Sequence, residues 1–459
     1  MKFAKPSIRP FISPMHMAWG LMVWVLMVLG CGQEPPSAPS ATPEGVFIHQ
    51  VDGHYRLVKD GVPLYLQGAC VLGTEHMAAL AAAGGNAIRT YPGDDLPQIF
   101  SVADSLGLGV VLALDLPPAR YGFDYRNPAQ RAHIRAAIKA QVLAYKDEPS
   151  LLLWGIGNEV HIMAEAQQEA IYAFVDSLSR DIHAWDGRHP TTYMVNGPEA
   201  ALDLYRHCPD LDIISINTFG SLHQLDKVLG SFGWAISKPI LISEWGPIGY
   251  WATPTSEWGA PLEMNSSEKG KAYAEQYTSF LSPDHPLLLG SCLFFWDYKH
   301  EQTPTWFSLF TEAGEATNVV DEMTQVWTGK APANRAPHFA EIHLEGEYPG
   351  HGPYLYAGAT YSASLDVSDP DGDSLYTQWE ISPEFKREGI TGGDREQRPP
   401  RMPELILEAE AKTLRFQAPE ASGPYRLFVY VRDGKGKVAT ANLPFFVQKT
   451  PRLHEPLHP

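Results

Sequence analysis

Two glutamates stand at the ends of apolar runs. Glu159 closes LLLWGIGNE and Glu244 closes PILISE. A carboxyl pair facing one cavity is the equipment for cleaving a glycosidic bond. One group protonates the leaving oxygen and the other stabilises or attacks the oxocarbenium-like carbon. A single Glu after a strand is more simply read as a helix cap or the partner of an Arg. Two such ends, with Asn158 before one and aromatic residues around both, favour the pair. Two close carboxylates cannot both ionise easily, so one keeps its proton while the other needs a positive neighbour. Arg89, inside the apolar stretch NAIRTY, is costly to bury unless paired, and Glu244 is its expected partner. Six of the twelve tryptophans (Trp234, Trp245, Trp251, Trp258, Trp296 and Trp306) fall between positions 234 and 306. Aromatic faces stack on sugar rings, so this cluster reads as the lining of a sugar-binding mouth.

The elements that must position these residues alternate between strand-like and helix-like runs. Strands are expected at Pro63–Ala69, Asn86–Thr90, Gly109–Leu114, Leu151–Gly157, Thr191–Val195, Ile213–Asn217, Ile240–Ser243 and Ser291–Trp296, with helical patterns between them. Runs such as VVLAL and ILIS are apolar on both faces, the pattern of a parallel sheet covered on both sides. Eight such units over about 265 residues match an eight-stranded (β/α) barrel. A doubly wound open sheet is disfavoured, because no Gly-rich phosphate loop follows the first strand. In a barrel, catalytic groups sit at the C-terminal strand ends. Glu159 then ends strand four and Glu244 strand seven; their 85-residue separation is three units of about 28. The fold class expected is α/β, a TIM barrel over 46–330.

LLLWGIGNE, ISEWG, GGNAIRTYP and FFWDY resemble the strand-four, strand-seven, strand-two and strand-eight motifs of glycoside hydrolase clan A, nearest to the family 2 barrels. The resemblance covers roughly residues 55–328. It implies a retaining β-glycosidase with Glu159 as acid/base and Glu244 as nucleophile, and no cofactor for catalysis. It further implies that Asn158 holds the sugar 2-hydroxyl, that Arg89 sits under the nucleophile, and that Trp296 is the platform beneath the cleaved sugar. Asn217, Tyr250 and Trp306 complete the expected substrate-binding set. Two departures stand out. Family members usually carry a Tyr on strand six that bonds the nucleophile, whereas IISINTFG has Phe219; either another residue, with Tyr250 the named candidate, supplies that hydroxyl or the nucleophile is tuned differently. The amino-terminal sugar-binding sandwich of full family 2 enzymes is absent from this sequence. NAIRTY is also similar to the corresponding strand of β-1,3-glucan hydrolases and glucanosyltransferases, which makes a β-linked glucan the leading substrate class. Transglycosylation, or a surface protein that binds polysaccharide without cleaving it, remain the alternatives. Lys299 and Glu301, in the loop after strand eight, either contact substrate or cap the barrel.

The remainder of the chain concerns placement. Lys2, Lys5 and Arg9 precede fourteen apolar residues, Met17 to Gly30, too few to span a bilayer comfortably but suited to a secretory signal. Val28-Leu29-Gly30-Cys31 resembles a bacterial lipobox, which implies acylation at Cys31 and a lipid-anchored protein of the cell envelope, at the outer membrane or cell surface; an ordinary cleaved signal is the alternative. Residues 31–45 are Pro/Ser-rich and read as a tether. Beyond the Gly329–Pro337 linker, short alternating strands without helical period predict a small β-sandwich over 335–448, similar to immunoglobulin-like and cadherin-like modules and expected to be dispensable for chemistry. Within it, Asp369, Asp371 and Asp373 flank a Gly turn and form either a calcium loop or a solvated turn. A net charge of -18 disfavours nucleic acid as a partner. Four cysteines in 459 residues exclude a disulfide scaffold.

Overall fold

The computed structural model describes residues 45–225, 227, 237–350, 352–386 and 396–449. Residues 1–30, Cys31 and the tether up to residue 44 lie outside them, as does most of the helix expected after strand six, Trp234 included.

The chain opens with a three-stranded antiparallel sheet, β1 (Val46–Val51), β2 (His54–Lys59) and β3 (Val62–Leu64). Its turns are Asp52-Gly53 and Asp60-Gly61, all four residues at positive φ, the Asp-Gly pairing that tight hairpins favour. Eight parallel strands then close into a barrel. They are β4 (Leu66–Cys70), β5 (Ala87–Arg89), β6 (Gly109–Leu114), β7 (Leu151–Asn158), β8 (Thr191–Asn196), β9 (Ile213–Phe219), β10 (Ile240–Gly246) and β11 (Leu288–Leu293). All six residues of β6 and the first seven of β7 are buried, as both-faced apolar strands require. The last strand begins and ends about three residues earlier than its composition suggests, leaving Trp296 beyond the strand.

The hairpin closes one end of the barrel. Val46 N–H donates to the Arg188 carbonyl and Tyr55 N–H to that of Pro286, both in segments leading into strands. Val46 and Leu57 pack with Leu66, Val111, Leu152, Leu153, Leu241 and other barrel residues in a continuous apolar plug. That is the N-terminal end, so the open mouth is the C-terminal one. The outer helices have strong local stop and start signals. Leu96–Leu106 begins at Asp95, whose side chain accepts the Gln98 N–H, and ends at Gly107 in the left-handed conformation. Ser266–Phe280 starts with a full capping box between Asn265 and Glu268.

The last barrel helix, Asn318–Thr328, ends at left-handed Gly329, and an all-β unit begins at His338. It has two sheets. One is ordered β12 (His338–Leu344), β15 (Thr360–Ser368), β18 (Thr413–Gln417) and β17 (Ile406–Ala409). The other is ordered β13 (Glu347–Gly350), β14 (Gly352–Tyr356), β20 (Val438–Gln448), β19 (Gly423–Arg432) and β16 (Tyr376–Pro383). Trp379, Ile381, Leu427, Val429 and Phe445 lie in their shared core.

This unit packs against the barrel. The described residues form one compact body, and buried charges cross the junction. Arg426, 1% exposed, donates to both oxygens of Glu384, to Asn442 Oδ1 and, across the junction, to the Pro261 carbonyl. Asn442 in turn donates to Glu263 of the barrel, whose other oxygen holds Lys269 at 2.5 Å. Trp258, from the loop after β10, packs edge-on against Tyr354. A Cβ at Gly352 would lie 2.5 Å from the Trp258 ring, so that close approach requires glycine. The linker is tied down as well: Asn334 donates to Asp433, and Asn318 to the Pro337 carbonyl.

In the Asp-rich turn each carboxylate has a partner within the chain. Asp371 pairs with Arg335 at 2.8 Å and Asp373 with Lys435 at 2.5 Å, while Asp369 Oδ1 accepts the N–H groups of both. The three carboxylates are turned to separate partners, and among the described residues no three His, Cys, Asp or Glu side chains converge on a metal position.

Arg426→Ala is expected to cost roughly 3–5 kcal/mol, because it strands Glu384 as a buried, unpaired charge. Denaturant unfolding of the whole chain measures this; a loss under about 1 kcal/mol would mean that the junction is solvated.

Candidate active site

The mouth is assembled by strand ends. The path of β7 is set at Gly157, which has φ 80° and whose Cβ would sit 2.8 Å from Leu116. No other residue fits there without strain. Asn158 and Glu159 follow at once, and Glu159 itself has φ 51°. A non-glycine residue in that region is uncommon and clusters at functional sites. The Glu159 N–H is anchored on the Met194 carbonyl of β8 at 3.0 Å. His161 braces the following loop, its ring nitrogens 2.9 Å from the Tyr193 hydroxyl and 2.8 Å from Asn196 Oδ1.

Arg89 lies at the centre. It is fully buried, and its Nη1 donates to Glu244 Oε1 in an ion pair with no water between. Nη1 also reaches the Tyr91 hydroxyl at 3.1 Å, and Nη2 donates to Asn158 Oδ1 at 2.9 Å. Asn217 Nδ2 bonds the same Asn158 oxygen at 2.9 Å and Glu159 Oε1 at 2.8 Å, while Asn217 Oδ1 accepts from Ser243 at 2.7 Å. One hydrogen-bonded run therefore joins Glu244, Arg89, Asn158, Asn217 and Glu159, using β5, β7, β9 and β10.

The two carboxyls occupy different electrostatic settings. Glu244 is 7% exposed and held by a guanidinium and a hydroxyl. Glu159 is half-buried at the mouth. Desolvation, and after it the charge of Glu244, raise its carboxyl to about 7, against the downward pull of the Asn217 bond. Cys70 lies beside Arg89, its Sγ 3.7 Å from Nη1. Burial pushes that thiol up to about 11, so it stays neutral and does not compete with Glu244 for the cation.

Tyr91 is the residue that sequence reasoning missed. Its hydroxyl donates to Glu244 Oε1 at 2.9 Å, so the hydroxyl not found at Phe219 comes from the end of strand two. Tyr250 does not supply it; its hydroxyl is directed to Glu301 at 3.4 Å. The signal was present in NAIRTY, since alternate residues of an extended segment share a face and Arg89 already pointed to Glu244.

The aromatic cluster is largely corrected. Trp296 is 0% exposed, stacked on Trp327 at 5.9 Å with its Nε1 donating to the His76 carbonyl, which leaves no face for a sugar. Trp306 is 2% exposed and bonded to the Ile248 carbonyl; Trp245 is buried against Tyr273. Lys299 and Glu301 pair with each other at 2.6 Å, Glu301 buried, so the pair is part of the loop's packing. Trp251 alone among the five described tryptophans of this cluster has a largely open surface, 56% exposed.

A closed (β/α) barrel with a differentiated glutamate pair at its C-terminal mouth defines the class of protein. Residues 74–309, more than half of the chain, match the model of the glycosyl hydrolases family 2 TIM barrel domain, and the chain belongs to that family. A β-galactosidase of Arthrobacter sp. (strain B7) is 29% identical over 115 residues, 24% of this chain and 11% of that protein. Among solved structures, a β-glucuronidase of Bacteroides uniformis aligns over 88% of this chain and 48% of its own length, with TM-score 0.47 and 17% identity. A β-D-glucuronidase of Dictyoglomus thermophilum aligns over 62% and 54%, with TM-score 0.47 and 18% identity. The chain thus spans about half the length of these glucuronidases and, in its aligned segment, about a tenth of the galactosidase.

Carboxyl-selective NMR of labelled Glu side chains should place Glu159 near pH 7, and Glu244→Gln should move it toward the ordinary carboxyl range by removing the neighbouring negative charge. A Glu159 midpoint unaffected by Glu244→Gln would show that the two groups do not sense each other.

Proposed function

We propose that the chain is a retaining β-glycosidase. The observation that carries this reading is the run from Glu244 through Arg89, Asn158 and Asn217 to Glu159. It pairs one carboxyl group with a guanidinium and leaves the other, Glu159, protonated up to about neutral pH. Family membership supports it. In the first step the Glu244 carboxylate attacks the anomeric carbon, and the Glu159 proton passes to the leaving oxygen as the glycosidic bond breaks. In the second, the Glu159 carboxylate takes a proton from water, the water oxygen bonds the anomeric carbon, and Glu244 leaves with its electron pair. Tyr91 and Arg89 orient Glu244 and hold its charge low in the mouth. Asn158 is fixed by two hydrogen bonds to its oxygen, and its amide N–H groups are the donors proposed for the sugar 2-hydroxyl. The substrate reading is a β-linked glucan, supported by the resemblance of NAIRTY to strands of β-glucan enzymes. We also propose that the protein is held to the bacterial envelope by a lipid on Cys31, as the lipobox-like Val28–Cys31 suggests.

Glu244→Ala should abolish hydrolysis of aryl β-glycosides, and azide should restore turnover to a glycosyl azide of inverted configuration. Glu159→Ala should lose about 10²–10⁴-fold on poor leaving groups and far less on good ones. It should also lose the fall in kcat/KM that wild type shows as pH rises through about 7, where Glu159 gives up its proton. Full activity in Glu244→Ala, or a product of inverted configuration from wild type, would sink the mechanism. Aryl β-glucosides, β-galactosides, β-mannosides and β-glucuronides compared side by side decide the sugar. Cys31→Ser should move the protein from the membrane to the soluble fraction; an unchanged distribution would rule the anchor out.

A further inference from the structure

Seven large apolar side chains of the barrel region are exposed among the described residues. Two lie on the hairpin at the closed end and one on an outer helix. The other four, Leu72, Tyr121, Met163 and Trp251, lie in the loops that follow β4, β6, β7 and β10, and such loops build the mouth of a barrel. Single exposed apolar residues need no explanation. Here, however, the two aromatic ones, Tyr121 at 62% and Trp251 at 56%, both fall on the mouth. In the barrel order, β6 and β10 stand four strands apart in a ring of eight. Tyr121 and Trp251 therefore occupy opposite banks.

Each bank connects to one carboxyl. Tyr121 follows β6, which pairs with β7, the strand that Glu159 directly follows, and the Arg120 guanidinium lies over the Tyr121 ring at 4.8 Å. Trp251 meets Phe219 edge-on at 5.7 Å, and Phe219 meets Phe294 at 5.3 Å. Phe294 packs on Phe295, which contacts Tyr91, the hydroxyl partner of Glu244. The wall behind Trp251 is thus continuous with the Glu244 side of the site.

We propose that Tyr121 and Trp251 are stacking platforms for sugar units on either side of the cleaved bond, so that the substrate is a β-linked chain lying across the mouth. This rests on the glycosidase reading. The proton donor sits beside the leaving oxygen, which assigns Tyr121 to the leaving portion of the chain. Trp251, on the nucleophile's side, takes the portion that stays on Glu244. Both rings are largely solvent-exposed, so their replacement leaves the core intact.

Two probe series test this. Aryl β-glycosides of a mono- and a trisaccharide place sugar units only on the nucleophile side, with the aryl group in the leaving position; unsubstituted β-linked hexasaccharides place sugars on both. Trp251→Ala should leave kcat/KM on the aryl monosaccharide within about twofold and lower it roughly tenfold on the aryl trisaccharide, the worth of one aromatic stacking contact. Tyr121→Ala should spare both aryl probes and lower kcat/KM roughly tenfold on the hexasaccharide. If both variants keep the wild-type dependence on chain length, the platforms are refuted while the glycosidase reading stands. Calorimetry of Glu159→Gln with laminarihexaose, cellohexaose and mannohexaose separates the converse case. Binding that weakens with Trp251→Ala or Tyr121→Ala, without cleavage by wild type, keeps the platforms and overturns the glycosidase. No binding of any hexasaccharide overturns the platforms.

Discussion

A guanidinium cut off from water must be neutralised where it stands, and the mouth of this barrel is arranged around that requirement. Arg89 has no solvent exposure, and desolvating it costs several kcal/mol unless an anion and further acceptors surround it. Glu244 supplies the anion, and Asn158 and Tyr91 supply oxygens. Because Asn158 is held from one side by Arg89 and from the other by Asn217, its position is fixed through three strands at once. The residue after it, Glu159, inherits that position. The nucleophile and the proton donor of the proposed reaction are therefore not placed independently: the same cation pairs directly with one and, through an amide and its neighbour, fixes the place of the other.

The barrel is asymmetric along its axis for an equally physical reason. At the hairpin end the interior is filled by aliphatic side chains of the strands and of β1 and β2. At the other end Arg89, Asn158, Asn217 and Ser243 lie at or near the ends of β5, β7, β9 and β10 and are joined by hydrogen bonds. Low local dielectric strengthens each of those bonds and makes any unpaired member expensive. The plug at one end and the all-β unit against the outer loops leave the mouth as the place where polar side chains can face solvent without being orphaned.

Much of this was legible before any coordinates. Strands buried on both faces are long apolar runs, so β7 and β10 are visible as LLLWGIG and ILIS, and their ends locate Glu159 and Glu244. The neighbourhood of Arg89 and Asn158 followed from the cost of a buried cation and from the motifs. Tyr91 is legible from its spacing to Arg89, but the family motif points to strand six, where Phe219 stands. The tryptophans were over-read because composition does not distinguish a ring that stacks on a ligand from one that stacks on Trp327. That depends on where β11 ends, and the strand stops at Leu293, three residues short of Trp296. The junction between barrel and all-β unit was illegible for a related reason: Arg426 and Asn442 are far in sequence from Pro261 and Glu263, and Glu263, Lys269 and Arg426 look like ordinary surface charges until the fold brings the two segments together.

That junction bears on how such a chain can change by recombination. A crossover in the 329–337 linker, the obvious breakpoint, would part Glu263 from Asn442 and the Pro261 carbonyl from Arg426. It would also set Trp258 against a foreign surface without the glycine that admits it. A transplanted barrel would arrive with a buried acid and lysine missing one of their partners, and a transplanted β unit with a buried arginine short of an acceptor. The heritable unit is the pair, and lineages that shuffle it would have to carry both halves or rebuild the polar contacts between them.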